Sequence, residues 1–170
     1  MAEPPAVNAF PLIYLARAAL LDFLQFVAET VVVPAAVTDE IQRRGLTDIT
    51  VQALQNTAWV VRIDDPPILR VIQAWDLGEG ESAVLAWAYT HPGTEAIVDD
   101  LAGRRCAAAL GIPIRGTLGL ILTAKRQGGI PQARPVLERL RQAGMYLSDH
   151  IMNQALALVG NRLRVEFSQR

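Results

Sequence analysis

Thr30-Val31-Val32-Val33-Pro34-Ala35-Ala36-Val37-Thr38-Asp39-Glu40-Ile41 is the stretch that decides the fold class. Three consecutive valines with no polar alternation fit a strand covered on both faces, as in parallel sheets. Pro34 ends that run and opens a helix at its first position, where the missing N–H is no loss. The helix is expected to run to about Arg44, with Gly45 as its stop. A buried strand feeding straight into a helix is the building unit of an α/β domain.

The same unit recurs on both sides. Ala6-Val7-Asn8 reads as a first strand, followed by a helical stretch from Pro11 to about Ala28 with a break near Ala18. A short helix is expected over 48–56 and a third strand over Trp59-Val60-Val61-Arg62-Ile63. Asp64-Asp65-Pro66-Pro67 is a turn, leading into a helix over about 67–75. Gly78-Glu79-Gly80-Glu81 precedes a helix that ends at His91, before Pro92-Gly93. Ala96-Ile97-Val98 and Ile112-Pro113-Ile114-Arg115 read as the fourth and fifth strands, with a helix from Asp100 to Leu110 between them. Helical patterns follow over about 117–127, 132–143 and 148–159. Arg162 to Phe167 reads as an added strand or a partner-binding arm. Strands separated by helices predict a mostly parallel sheet with both faces covered, whose ligands sit beyond the carboxyl ends of the strands.

Composition bounds the rest. The 170 residues are 51% hydrophobic and 19% charged, with a mean hydropathy of +0.23, which excludes a disordered chain. One domain over 1–160 and a tail over 161–170 are expected. The single cysteine, Cys106, excludes a disulfide framework or a Cys-rich zinc site and favours a reducing cytoplasm. Two histidines, His91 and His150, leave little room for triad or His-metal chemistry. No uncharged apolar run approaches membrane-spanning length, about 18 residues, and the start lacks a basic leader region. The expectation is a soluble, intracellular chain with no membrane association.

Charge is unevenly placed. Residues 1–100 carry 5 basic and 14 acidic side chains, whereas residues 101–170 carry 11 and 3. All basic residues but Lys125 are arginine, which suits bidentate contact with phosphate or carboxylate. Intramolecular pairing between the halves explains the asymmetry equally well.

One constellation carries chemistry. Asn8 follows the first strand and Asp99-Asp100 the fourth, positions on the same rim if those strands are parallel neighbours. Glu81 opens a helix after a Gly-rich turn, and Asp39 and Glu40 lie on the helix after the second strand, where one can point back to that rim. Carboxylates gathered from distant segments repel and cannot all stay ionised uncompensated. A hard divalent cation, Mg²⁺ or Mn²⁺, compensates them through oxygen ligands and positions a phosphodiester. Taken singly, each residue has a plainer role: Glu81 a first-turn acid, Asp99 or Asp100 an N-cap, Glu40 a solvated helix face, Asn8 an end-of-strand turn.

Five segments in this order resemble PIN domains: Asn8-Ala9-Phe10-Pro11-Leu12-Ile13, Val33 to Ile41, Leu77-Gly78-Glu79-Gly80-Glu81-Ser82-Ala83, Val98 to Arg104, and Gly111 to Gly119. The resemblance covers roughly residues 5–160 and points to a prokaryotic PIN-like subgroup related to toxin–antitoxin ribonucleases. It implies a three-layer α/β/α sandwich around a mostly parallel five-stranded sheet. It also implies an Mg²⁺- or Mn²⁺-dependent endoribonuclease acting on RNA, a small antitoxin protein as partner in many relatives, and a homo-oligomer such as a dimer. The family's acids fall on Asn8, Glu40, Glu81 and Asp99, with Asp100 adjacent. Glu40, Glu81 and Asp99 are the implied catalytic residues, with Asn8 and Asp100 joining them as metal ligands. Arg104, Thr117 and Lys125 are candidate substrate contacts, though a helix cap explains Thr117 and an exposed charge Lys125.

Two positions depart from the family pattern. Asn8 is an amide where most PIN domains carry Asp, and Phe10 stands where Ser or Thr is usual. Both bear on catalytic strength rather than fold. A metal-dependent ribonuclease and a non-cleaving PIN domain that binds RNA or protein are therefore both open at this point.

Overall fold

The computed structural model describes residues 3–160, so the expected arm over Arg162 to Phe167 lies outside the described residues. Five strands form one sheet in the order β3-β2-β1-β4-β5: β1 (Ala6–Val7), β2 (Val31–Pro34), β3 (Val60–Ile63), β4 (Ala96–Ile97) and β5 (Ile114–Arg115). Every pairing is parallel. The three central strands are apolar throughout: Ala6, Val7, Val31, Val33, Ala96 and Ile97 are fully buried. The run of valines in β2 is therefore what a strand sandwiched between two layers requires. The strands are shorter than the sequence predicts, because Val98 and Ile112 flank the ladder without extending it.

The helices are α1 (Ala9–Arg17), α2 (Ala35–Gln42), α3 (Ile49–Gln55), α4 (Arg70–Gln73), α5 (Glu79–Thr90), α6 (Leu101–Leu110), α7 (Thr117–Arg126), α8 (Arg134–Gln142) and α9 (Asp149–Leu158). The predicted break near Ala18 is real: Ala19 turns left-handed (φ 55) and a 3-10 segment, Leu21–Phe26, follows. Pro34 belongs to the end of β2 and caps α2 from outside, so the helix begins one residue later than expected.

Right-handed crossovers fix the layers. The chain steps from β1 to β2 in one direction and from β3 to β4 in the other, so α1 and α5 lie on opposite faces. Helix α5 packs across β1, β2 and β4 with α4 and α6 beside it, while α7, α8 and α9 group with one another and with α1. Helix α2 touches both α1 and α5, and so bridges the layers where the strands end.

Leu85 sits at the centre of α5 and is fully buried. Leu85→Ala is expected to lower stability by about 3 kcal/mol, read as a fall in the urea midpoint at unchanged m-value.

Candidate functional site

Asn8 is the first residue beyond β1. Its amide N–H donates to Ile97 O at 3.0 Å, continuing the ladder, and the residue then caps α1. It is only 5% exposed, yet its side chain makes no cap bond and no other hydrogen bond within the described residues. On α2, Asp39 turns to Arg62 on β3 (3.4 Å), which leaves Glu40 to face α5. A methyl group at Gly80 would stand 3.1 Å from Glu40 Oε2 and 3.6 Å from Asn8 Oδ1. The first turn of α5, the end of β1 and α2 therefore meet around a space that a side chain at residue 80 would fill.

Glu81, the next residue of α5, rests its carboxylate against α6. A methyl at Gly103 would be 2.6 Å from Glu81 Oε1, so this glycine is what lets the carboxylate rest on that helix. Asp100 caps α6 through Oδ1, which accepts from Ala102 N at 2.8 Å. Asp99 is held by Thr117: Oδ1 accepts from Thr117 N at 2.7 Å and Oδ2 from Thr117 Oγ1 at 2.6 Å.

The crowding has an electrostatic signature. Burial pushes the Glu81 carboxyl up to about 7, and the charges of Asp100 and Glu40 push the same way. Burial also raises Asp99, although both Thr117 bonds and the Arg104 guanidinium oppose it. Helices α1, α5, α6 and α7 all begin at this rim, and each helix start favours a nearby anion by about 0.3–1 kcal/mol. Glu81 stays raised with these helix starts in place. Cys106 beside it is raised as well, by burial and by Glu81.

The donors are all oxygen: the Asn8 amide and the carboxylates of Glu40, Glu81 and Asp100, with Asp99 next in the chain. Such a set fits a hard divalent cation. Among the described residues, no group of three or more His, Cys, Asp or Glu side chains is already arranged to hold one. That agrees with the use of a neutral amide at residue 8 and with the capture of Asp99 by Thr117. Two lone pairs of Asp99 are spent on Thr117, and about two remain for another partner.

The three candidate substrate contacts separate. Arg104 is exposed on the first turn of α6, with Nη1 3.2 Å from where a methyl at Gly116 would stand, close to Asp99. Thr117 is fully buried and its hydroxyl is committed to Asp99, so it positions an acid and does not face substrate. Lys125 lies about 12 Å further along α7, eight residues at 1.5 Å each, at the opposite end of the sheet, with Nζ donating to Pro131 O. It does not reach the rim. Gly80 and Gly103 were missed as site residues; the only signal is the glycine between two acids in Gly-Glu-Gly-Glu, and Gly103, in Leu-Ala-Gly-Arg, has no acid beside it in sequence.

A cavity of about 820 Å³ opens at the amino ends of the strands, lined in part by Pro5, Thr30, Glu95 and Arg115. The carboxylates line neither it nor the smaller cleft of about 150 Å³ beside β3.

A family model described as a PIN domain matches residues 5–161. No curated protein and no solved structure matched the chain. No helix among the described residues is long and apolar enough to cross a membrane.

Two outcomes are expected. Glu81 titrates at its ordinary 4.5 in the unfolded chain and at about 7 in the folded one, so the native state binds the extra proton between those values. In EDTA the stability this proton contributes is complete below pH 4.5 and is lost as pH rises through 7. With the partial exposure of the site, the loss is about 1–2 kcal/mol. Urea midpoints at pH 5 and pH 8 measure it, and Glu81→Gln should flatten the difference. Gly103→Ala should displace the carboxylate from α6 and bring Glu81 back toward its ordinary value, seen by NMR titration of the Glu81 side chain.

Proposed function

We propose, because the chain belongs to the PIN-domain family and brings Asn8 and Glu40 together at Gly80 with Glu81 next to them, that it is a divalent-metal-dependent endoribonuclease. The observation that carries this reading is the Glu81 carboxylate, pressed onto α6 at Gly103 and raised to about 7 by burial and by Asp100 and Glu40. A group so placed gains most from a cation. Asn8, Glu40, Glu81, Asp99 and Asp100 would hold Mg²⁺ or Mn²⁺. Bound there, the ion would orient the phosphodiester, activate the attacking water and offset charge on the leaving oxygen.

The chain's own residues do the rest. Thr117 fixes the rotamer of Asp99 through two hydrogen bonds, so the acid needs no reorganisation when substrate arrives. Arg104 stands beside it and offers a planar cation to a non-bridging phosphate oxygen. Glu40 and Glu81 supply the negative charge that draws the cation, and Asn8 adds an oxygen without adding charge.

A toxin role with a small antitoxin protein as inhibitor goes with this reading, supported by Leu101, 60% exposed beside Asp100. A dimer and a cytoplasmic location complete the proposal; the one cysteine is buried and free. The neutral amide at residue 8 favours a second reading, a domain that binds RNA without cutting it.

Incubation of the purified protein with mixed RNAs in Mg²⁺, Mn²⁺ or EDTA tests the activity, with Asp99→Ala and Glu81→Gln as controls. Cleavage should require the ion and fall at least a hundredfold in both variants. Asn8→Asp adds a full charge to the donor set and should tighten Mn²⁺ binding at least tenfold by calorimetry, with a parallel rise in cleavage. Unchanged affinity and unchanged cleavage would leave Asn8 as a turn residue.

A further inference from the structure

Helix α1 buries Ala9, Leu12, Ile13, Leu15 and Ala16 and leaves a different stripe outside. Phe10 is 46% exposed, Tyr14 is half-buried and Arg17 is exposed. Spacings of four and three residues place these side chains in one row. The Phe10 and Tyr14 rings stack with centroids 5.9 Å apart and planes within 16°. The row starts two residues past Asn8, at the acidic rim, and descends toward Gly144, where a methyl would lie 3.9 Å from Arg17 Nη1. Two residues beyond that glycine stands Tyr146, 84% exposed.

Phe10 stacks on Tyr14, yet nearly half of it stays in water. A Phe, a Tyr and an Arg in sequence along one helix face set flat apolar faces beside a cation. Unpaired nucleobases stack on such faces while the phosphates meet the cation. A duplex hides its base faces and cannot use the row.

From Phe10 to Arg17 the row is about 10 Å long, the length of about three stacked nucleotides. We propose that this row is the binding track for single-stranded RNA, with Phe10 stacking the unpaired base next to the phosphate held at the rim. The proposal rests on the ribonuclease reading for the identity of the polymer, and on the aromatic row for its unpaired state. Phe10 here is a positioning residue that selects single strands.

Fluorescence anisotropy with a labelled twelve-nucleotide RNA tests the track, in Mn²⁺ and in the full chain carrying Glu81→Gln so that the RNA stays intact. The same RNA annealed to its complement and a DNA of the same sequence form the other arms. Single-stranded RNA should bind at least tenfold tighter than the duplex. Adding Phe10→Ala should weaken it about tenfold, and Phe10→Trp should restore it. A 2-aminopurine in the RNA should lose fluorescence on binding only when residue 10 is aromatic.

Equal affinity for single strand and duplex, or binding indifferent to Phe10→Ala, overturns the track. So does a Phe10→Ala protein that sediments as a monomer where the parent is a dimer while RNA affinity holds, since the row is then a contact between copies. Single-stranded DNA bound as tightly as RNA keeps the stacking and removes RNA as the selected polymer. Cleavage by the unsubstituted chain with binding indifferent to residue 10 leaves the ribonuclease reading standing alone. Stacking-dependent binding with no cleavage in Mn²⁺ does the reverse.

Discussion

Glu81 can lie where it does only because residue 103 has no side chain. Its Oε1 occupies the space that a methyl on α6 would take, at 2.6 Å. This contact draws the first turn of α5 against α6 and brings the carboxylate under the field of Asp100, which caps the same helix. Burial of a carboxyl group without a hydrogen-bond donor disfavours its ionised form, and two like charges nearby add to that. Four helix starts aimed at the rim are the available counterweight within the fold. The Glu81 carboxyl stays raised with them in place, desolvation being the largest cause. The site is thus under-compensated by its own protein, the condition in which an external cation gains most.

The amide at residue 8 belongs to the same balance. Asn8 is 95% buried at the carboxyl end of the central strand, beside Glu40 and the start of α5. A carboxylate there would add a further like charge to a group already shifted. An amide keeps the oxygen donor and spares the metal-free fold that repulsion, at the cost of weaker attraction for the ion. Thr117 makes a similar compromise at Asp99. Two short hydrogen bonds keep that acid oriented, yet burial still raises it, so orientation is obtained without full charge stabilisation.

Much of the fold was legible in the sequence for a local reason: the central strands are apolar on both sides and their helices follow at once. Val31-Val32-Val33, Ala96-Ile97 and the Asp100 cap of α6 stand where pattern and capping chemistry place them. What failed depends on distance along the chain. Gly78 to Glu81 reads as a turn before a helix, but α5 begins at Glu79, so Gly80 and Glu81 are helical and their spacing sets which partner each one meets. The roles of Gly80 and Gly103 depend on Glu40 and Glu81, which no local pattern connects to them. Lys125 looks like a free cation in sequence, and only the direction of α7 shows that it lies far from the rim.

The charge asymmetry between the two halves of the chain is bridged at a few places by the fold. The sheet order places β5, the one strand of the basic second part, at the edge beside β4 of the acidic first part. Arg115 on β5 pairs with Glu95 just before β4 at 2.8 Å, and Arg139 on α8 donates to Ala18 O beyond the end of α1. Arg141 pairs with Asp149 at 2.9 Å. Only the first of these contacts cancels charge between the two parts; Arg141 pairs within the second part, and Arg139 meets a neutral carbonyl. Among the described residues, most of the positive excess is therefore not spent on the acids of the first part. Arg104 beside Asp99, within that excess, and Arg17 at the foot of the aromatic row stand out by their place, next to an acid and to the rings, and not by the size of their charge.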